Sequence, residues 1–131
     1  MVTTSKRVLV VDDEPGFRDM YIYFLEPLGF QVTCACNGQE AVQKVSQTSY
    51  DLIFMDVHMP VMTGLEALKE IKKMRPDQKV VIFSSSSDPD YKMEHEALKH
   101  GGAIQCLFKP VDLVQIERVL VETLGPVCPT H

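Results

Sequence analysis

The feature that most constrains this chain is the stretch Tyr50-Asp51-Leu52-Ile53-Phe54-Met55-Asp56-Val57-His58-Met59-Pro60. Uninterrupted apolar side chains from Leu52 to Met55 end abruptly on a carboxylate, and a loop containing a proline follows. A strand with one wet face alternates apolar and polar residues. A strand that is apolar at every position is buried on both faces, as in a parallel sheet covered by helices. A charge directly after such a strand sits at its tip, and in open α/β sheets those tips are where ligands bind. Asp56 is therefore the first candidate functional residue.

The same grammar recurs along the chain. Val8 to Val11 is apolar and ends in Asp12-Asp13. Glu14-Pro15-Gly16 then opens a helix carrying Phe17, Met20, Tyr21, Phe24, Leu25 and Leu28 at helical spacing, with Gly29 as its stop. Phe30 to Cys36 reads as a second strand, Asn37-Gly38 as a turn, and Gln39 to Gln47 as a helix with Ala41, Val42 and Val45 inward. After the opening stretch, Thr63-Gly64 leads into a helix with Leu65, Leu68, Ile71 and Met74, broken by Arg75-Pro76-Asp77; Lys69, Lys72 and Lys73 lie mainly on its solvated side. Lys79 to Phe83 forms a fourth strand that ends in Ser84-Ser85-Ser86-Ser87. Asp88 to His100 is weakly amphipathic and predicts a loosely packed helix, stopped by Gly101-Gly102. Ala103 to Phe108 predicts a fifth strand ending in Lys109-Pro110, and Asp112 caps a last helix with Leu113, Ile116, Leu120 and Leu124 on one face. Five strands alternating with five helices predict an α/β fold: a (βα)5 doubly wound, five-stranded parallel sheet with helices on both faces. Residues 1–125 read as one domain, and 126–131 as a C-terminal tail.

Composition narrows the function classes. At 131 residues the chain fits a single domain with a proper core, and its 45% apolar and 24% charged content is ordinary for a globular protein. No apolar segment reaches membrane-spanning length, and the polar start Met-Val-Thr-Thr-Ser-Lys-Arg lacks a signal-peptide apolar region, which predicts a cytoplasmic protein. A net charge of −5 argues against direct nucleic-acid binding. Cys34, Cys36, Cys106 and Cys128 match neither a zinc nor a redox spacing. Cys34 and Cys36 are expected on one face of the second strand, as small packing residues with free thiols. The histidines form no ligand pattern with them, so a structural zinc site is not expected.

A parallel sheet delivers the C-terminal ends of all its strands to one edge. Those ends carry Asp12 and Asp13, then Asp56, Ser84 and Lys109, with little chemistry at the end of the second strand. Singly, an aspartate after a strand is a cap or turn residue and a Lys-Pro is a loop. Together, on one edge of one small domain, they exceed what capping explains. Three clustered carboxylates repel one another unless a cation neutralises them, and hard oxygen ligands favour Mg²⁺, with Mn²⁺ as a substitute. Carboxylate, divalent ion, lysine and hydroxyl suit phosphoryl transfer to an aspartyl nucleophile.

These residues resemble a family. Val10-Val11-Asp12-Asp13-Glu14-Pro15, Asp56-Val57-His58-Met59-Pro60 with Thr63-Gly64-Leu65-Glu66, Ser84-Ser85, Gly102-Ala103 and Lys109-Pro110 are similar to the receiver domain of two-component response regulators, over essentially the whole chain. The resemblance implies a CheY-like, flavodoxin-like three-layer sandwich of strand order 2-1-3-4-5. It implies that Asp56 accepts a phosphoryl group from a sensor histidine kinase or histidine phosphotransfer protein. Asp13 and Asp56 are then direct Mg²⁺ ligands with the backbone carbonyl of His58, and Asp12 acts through a metal-bound water. Lys109 pairs with one phosphoryl oxygen and Ser84 donates to another. The chain catalyses only its own phosphorylation and dephosphorylation, and controls a downstream protein docked on the face of the fourth helix, fifth strand and fifth helix. It acts as a monomer or weak dimer, either stand-alone or as part of a longer regulator.

The match departs from the family pattern in the switch region. Ser84 replaces the more usual threonine. Cys106 stands where the family has an aromatic, three residues before the lysine, and a cysteine cannot sweep an aromatic's volume. The expectation is that readout uses rearrangement of the segment from Ser84 to His100, which is a few residues longer than is common. Ser85 belongs to the same serine cluster, and His58 and Ser86 occupy positions that influence acyl-phosphate lifetime in the family. Two other readings compete. A degenerate receiver used only as a phosphorylation-independent binding module is disfavoured by the complete acidic set and Lys109. A Mg²⁺-dependent aspartyl phosphatase of the haloacid-dehalogenase type needs Asp-x-Asp at the first strand end, where this chain has Asp12-Asp13-Glu14.

Overall fold

The computed structural model describes residues 6–56, 62–85, 102–109 and 112–125, with the side chains of Ser85, Phe108 and Lys109 outside that description. The strands are β1 (Arg7–Val11), β2 (Gln31–Ala35), β3 (Leu52–Asp56), β4 (Val80–Ser85) and β5 (Gln105–Lys109). The helices are α1 (Pro15–Leu25), α2 (Gly38–Gln47), α3 (Gly64–Met74) and α4 (Leu113–Leu124), and a short 3₁₀ turn spans Glu26–Leu28. The five strands form one sheet in the order β2-β1-β3-β4-β5. Every pairing is parallel. This is the doubly wound architecture expected from the alternation of strands and helices. The expected helix over Asp88–His100 and the tail 126–131 lie outside the described residues.

The apolar character of the strands is explained by two cores. Side chains alternate across a strand, so β3 sends Leu52 and Phe54 to one face and Ile53 and Met55 to the other. Leu52 and Phe54 join Val8, Val10, Val81 and Phe83 beneath α1 and α4, which contribute Tyr21, Leu25, Ile116, Val119 and Leu120. Ile53 and Met55 join Leu9, Val11 and Ile82 beneath α2 and α3, which contribute Ala41, Val45, Ala67, Leu68 and Ile71. Each fully buried large side chain contributes roughly 1.5–3 kcal/mol relative to exposure. That is why neither face of β3 tolerates a polar residue until the strand ends.

Several boundaries differ from the sequence expectation, each for a local reason. Helix α1 stops at Leu25 and not at Leu28, because Pro27 has no N–H to donate into the helix; the chain tightens into the 3₁₀ turn and leaves through Gly29 at φ 94°. Asn37 is not a turn residue but the cap of α2, its side chain accepting from the Glu40 N–H at 2.8 Å. Gly38 is the first residue of that helix and is buried where α2 meets the α3 layer: a Cβ there would lie 2.9 Å from the Met62 carbonyl oxygen and 3.0 Å from Ala67 Cβ. β2 ends at Ala35, so Cys36 is exposed and does not pack beside Cys34, although Cys34, Cys36 and Cys106 are all free thiols as expected. Met74 and Leu113, expected inward, are exposed: Met74 is the last residue of α3 and Leu113 the first of α4, while Ala67 and Val119 are buried alongside the expected inward residues. β5 begins at Gln105, two residues later than expected, and runs through Lys109.

Candidate functional site

The site grows out of the C-terminal ends of β1 and β3. Val11 pairs with Met55 in the parallel register, so the next residues, Asp12 and Asp56, leave the sheet side by side. The Asp12 N–H still donates to the Ala35 carbonyl at 3.1 Å, extending the β1–β2 ladder to the carboxylate itself. Asp12 Oδ1 accepts from the Glu14 N–H at 3.0 Å, which turns the chain from β1 into α1. Arg18 Nη1 donates to the Asp12 carbonyl at 2.7 Å and ties the first helical turn back to the strand. Asp12 and Asp56 are 1% and 5% exposed, whereas Asp13 faces solvent.

One carboxylate oxygen from each of Asp12, Asp13 and Asp56 lies within 4.8 Å of the others. Two of these acids are buried, and burial of clustered like charges is unfavourable unless a cation or hydrogen bonds compensate. An all-oxygen donor set of this span fits Mg²⁺: the donors are hard and anionic, and only three come from the protein here. No nitrogen or sulfur ligand joins the cluster among the described residues. The fit is therefore to a hard divalent cation, as the sequence predicted.

The remaining expected site residues are placed unevenly. Ser84 is fully buried in β4, one residue beyond Phe83, which is the register partner of Asp56. The backbone of Lys109 closes β5 opposite Ser85, which puts this residue position at the same sheet edge as the acids. His58 and Ser86 lie outside the described residues. Cys106 is partly buried and packs against the core on the α2–α3 side, with its Sγ 3.9 Å from the Leu107 carbonyl. The position carries no ring, as expected.

Sequence reasoning missed one group near the acids. The helical spacing predicts Tyr21 as a core residue of α1, and its ring is one: it stacks on Phe54 with centroids 5.7 Å apart and meets Phe83 at 5.4 Å. Its hydroxyl, however, feels the acidic site. Burial pushes the Tyr21 phenol well above its ordinary range, and the charges of Asp12 and Asp56 push it further in the same direction. The available signal was a tyrosine in an otherwise apolar stripe on the helix that follows Asp12-Asp13.

Comparison with known proteins agrees with this geometry. Residues 8–121 match the response regulator receiver domain. The chain is 38% identical over 118 residues to the transcriptional regulatory protein ZraR of Klebsiella oxytoca, covering 90% of this chain but 26% of ZraR. It is 39% identical over 107 residues to the chemotaxis protein CheY of Thermotoga maritima, covering 81% of this chain and 87% of that protein. Among solved structures, it superposes with a TM-score of 0.83 on the receiver domain of the sensor histidine kinase PA1611 of Pseudomonas aeruginosa, at 25% identity over 94% of this chain and all of that one; that domain holds a magnesium ion in its active-site cleft. Aspartyl phosphorylation and Mg²⁺ binding are typical of such domains, which are regulatory and interact with histidine kinases and downstream effectors. No helix among the described residues is long and apolar enough to cross a membrane. Fold, acidic cluster and sequence match together place this chain in the response regulator receiver domain family.

Proposed function

We propose that the chain is a phosphorylation switch in which Asp56 accepts a phosphoryl group from a histidine kinase or phosphotransfer protein, with residues 1–125 as the receiver unit. The observation that carries this reading is the convergence of Asp12, Asp13 and Asp56 at the tips of two adjacent parallel strands. A carboxylate oxygen of Asp56 attacks the phosphorus of the phosphohistidine. A P–O bond forms, the P–N bond breaks, and the imidazole leaves. Asp13, Asp56 and the His58 carbonyl would hold Mg²⁺ directly, and Asp12 would act through a metal-bound water. When bound, the ion supplies positive charge against the phosphoryl oxygens. Lys109 pairs with one of those oxygens, and Ser84 donates its hydroxyl to another.

Phosphorylation replaces the single charge of the Asp56 carboxylate with an acyl phosphate carrying roughly two, beside the carboxylates of Asp12 and Asp13. That change biases a two-state element, which a partner reads. The segment from Ser84 to His100 is the proposed element, with Ser85, Ser86 and His58 modulating it. The proposed reading surface includes β5 and α4, where Val114 and Val121 are 64% and 47% exposed on the side away from the core. The test is incubation with acetyl phosphate and Mg²⁺, followed by intact mass. Wild type gains one phosphoryl group, and Asp56→Asn gains none. A wild type that stays unmodified in the presence of Mg²⁺ overturns the reading in favour of a binding module.

A further inference from the structure

Away from the acids, β1, β2 and α2 enclose a cavity of about 330 Å³. Arg7 and Gln31 open β1 and β2 as register partners, and Thr33 pairs with Leu9, so Gln31 and Thr33 lie on the α2–α3 face of the sheet. On β1 and β3 that face is apolar through Leu9, Val11, Ile53 and Met55. On β2 it stays polar until Ala35, which is buried in the same core; Gln31 is exposed and Thr33 half-buried. Lys44 and Gln47 from the last turn of α2, with Thr48 at its cap, supply the helix side, and Tyr50 completes the lining. The lining thus carries two cations and no carboxylate, in a chain whose 18 acids outnumber its 13 lysines and arginines. Among the described residues neither cation forms an ion pair. Asp51 accepts from the Arg7 backbone N–H at 2.8 Å but does not line the cavity. Two like charges on one cavity repel, and an anion between them removes that cost. The last carbonyls of α2 would oppose an anion, but two are engaged: Lys44 O accepts from the Thr48 N–H at 2.9 Å, and Val45 O from Arg75 Nε at 2.9 Å. Favouring the helix dipole explains Lys44 alone, and solvation explains Arg7 alone. Neither explains a concave lining in which every side chain carries a hydrogen-bond donor.

We propose that this cavity binds a small phosphorylated sugar or polyol, with Arg7 and Lys44 on the phosphate and Gln31, Thr33, Gln47 and Thr48 on the hydroxyls. The arginine fork pairs with two phosphate oxygens, and the lysine adds a point charge. Amides and hydroxyls both donate and accept, as sugar hydroxyls require. The volume lies at the small end of the roughly 300–1,000 Å³ of ligand pockets, which leaves room for more than a bare phosphate. No aliphatic side chain lines it, which disfavours a lipid tail. The site is separate from Asp56: Arg7 and Gln31 are the first residues of their strands, whereas Asp12 follows β1 and Asp56 ends β3.

The test is calorimetric titration with ribose 5-phosphate, inorganic phosphate and ribose, all in EDTA. EDTA keeps divalent cations from the acidic site, whose three carboxylates then repel phosphate. Wild type binds ribose 5-phosphate with a dissociation constant below about 1 mM, inorganic phosphate about tenfold more weakly, and ribose not detectably. Arg7→Gln and Lys44→Gln each weaken ribose 5-phosphate about tenfold, an ordinary loss for one charge-assisted hydrogen bond, and thermal melts show that both variants fold. Lys73→Gln removes the same charge from the exposed side of α3 and leaves binding unchanged. No saturable binding of ribose 5-phosphate overturns the site, as does an equal loss in Lys73→Gln. Inorganic phosphate bound as tightly as ribose 5-phosphate overturns the sugar assignment in favour of a bare anion. None of these outcomes touches the reading of Asp56, which the acetyl phosphate experiment decides by itself.

Discussion

Replacing Asp56 with asparagine should stabilise the protein in the absence of divalent cations. The substitution is isosteric, so it leaves the packing of β3 unchanged and removes one charge. That charge is 5% exposed and shares a 4.8 Å cluster with two other carboxylates. At that separation and an effective dielectric of about 20, each like-charge pair costs roughly 3.5 kcal/mol. The Asp13 contribution is strongly screened because its side chain faces solvent. Compensating hydrogen bonds to the carboxylates reduce the remainder, and a net gain of about 2 kcal/mol is a reasonable order. For a domain of this size that corresponds to about 6–8 °C in melting temperature. The assay is a pair of thermal or urea unfolding curves for wild type and Asp56→Asn in EDTA, repeated with Mg²⁺. A ligand at about ten times its dissociation constant adds about 1.4 kcal/mol to the form that binds it. Wild type should collect that increment and the variant less of it, so the gap narrows with Mg²⁺. An Asp56→Asn protein that is no more stable than wild type in EDTA would refute the argument that the cluster is held together against its own repulsion.

Two further outcomes follow from local geometry. Gly38→Ala places a methyl 2.9 Å from the Met62 carbonyl oxygen, a backbone atom that cannot rotate away; overpacking of about 1–3 kcal/mol should exceed the helix-propensity gain of at most about 1 kcal/mol, seen as a lower urea midpoint with unchanged slope. Glu66 closes the α3 capping box by accepting from the Thr63 N–H at 3.0 Å, and this backbone bond holds its carboxyl below the ordinary value of 4.5. A depressed folded-state pKa gives stability that is present above 4.5 and lost as pH falls below it. Stability curves of wild type and Glu66→Gln measured through that range should therefore converge at the acid end, and parallel curves would exclude the cap as their cause.

The fold was legible because its main signals are redundant. The central strands β1, β3 and β4 declared themselves by being apolar at consecutive positions, as a doubly covered sheet requires, and Leu52 to Met55 indeed divide between two cores, whereas the edge strand β2 alternates. The acidic cluster was legible for a related reason: parallel strands must end on one edge, so residues 44 positions apart in sequence could be placed together from topology alone. Element ends were less readable because they depend on single hydrogen bonds. Pro27 ended α1 early through a missing donor, and Asn37 capped α2 where an Asn-Gly pair more often signals a turn. The exposure of Met74 and Leu113 also escaped the pattern: each shares a helix face with a buried residue seven positions away, Ala67 and Leu120, but Met74 is the last residue of α3 and Leu113 the first of α4.

The pairing of Cys106 with Tyr21 bears on how such a site can be read out. A receiver that moves an aromatic behind its switch hydroxyl needs a ring on β5, and Cys106 offers a small thiol already packed against the α2–α3 core. Aromatic volume is concentrated instead on the other face, where Tyr21, Phe54 and Phe83 are in mutual contact beneath α1. Two of those rings sit on the strands that carry Asp56 and Ser84. A close-packed core is not continuously deformable, so a displacement at either strand tip must be accommodated by its nearest rigid neighbours. On the α1 side those neighbours are the three rings.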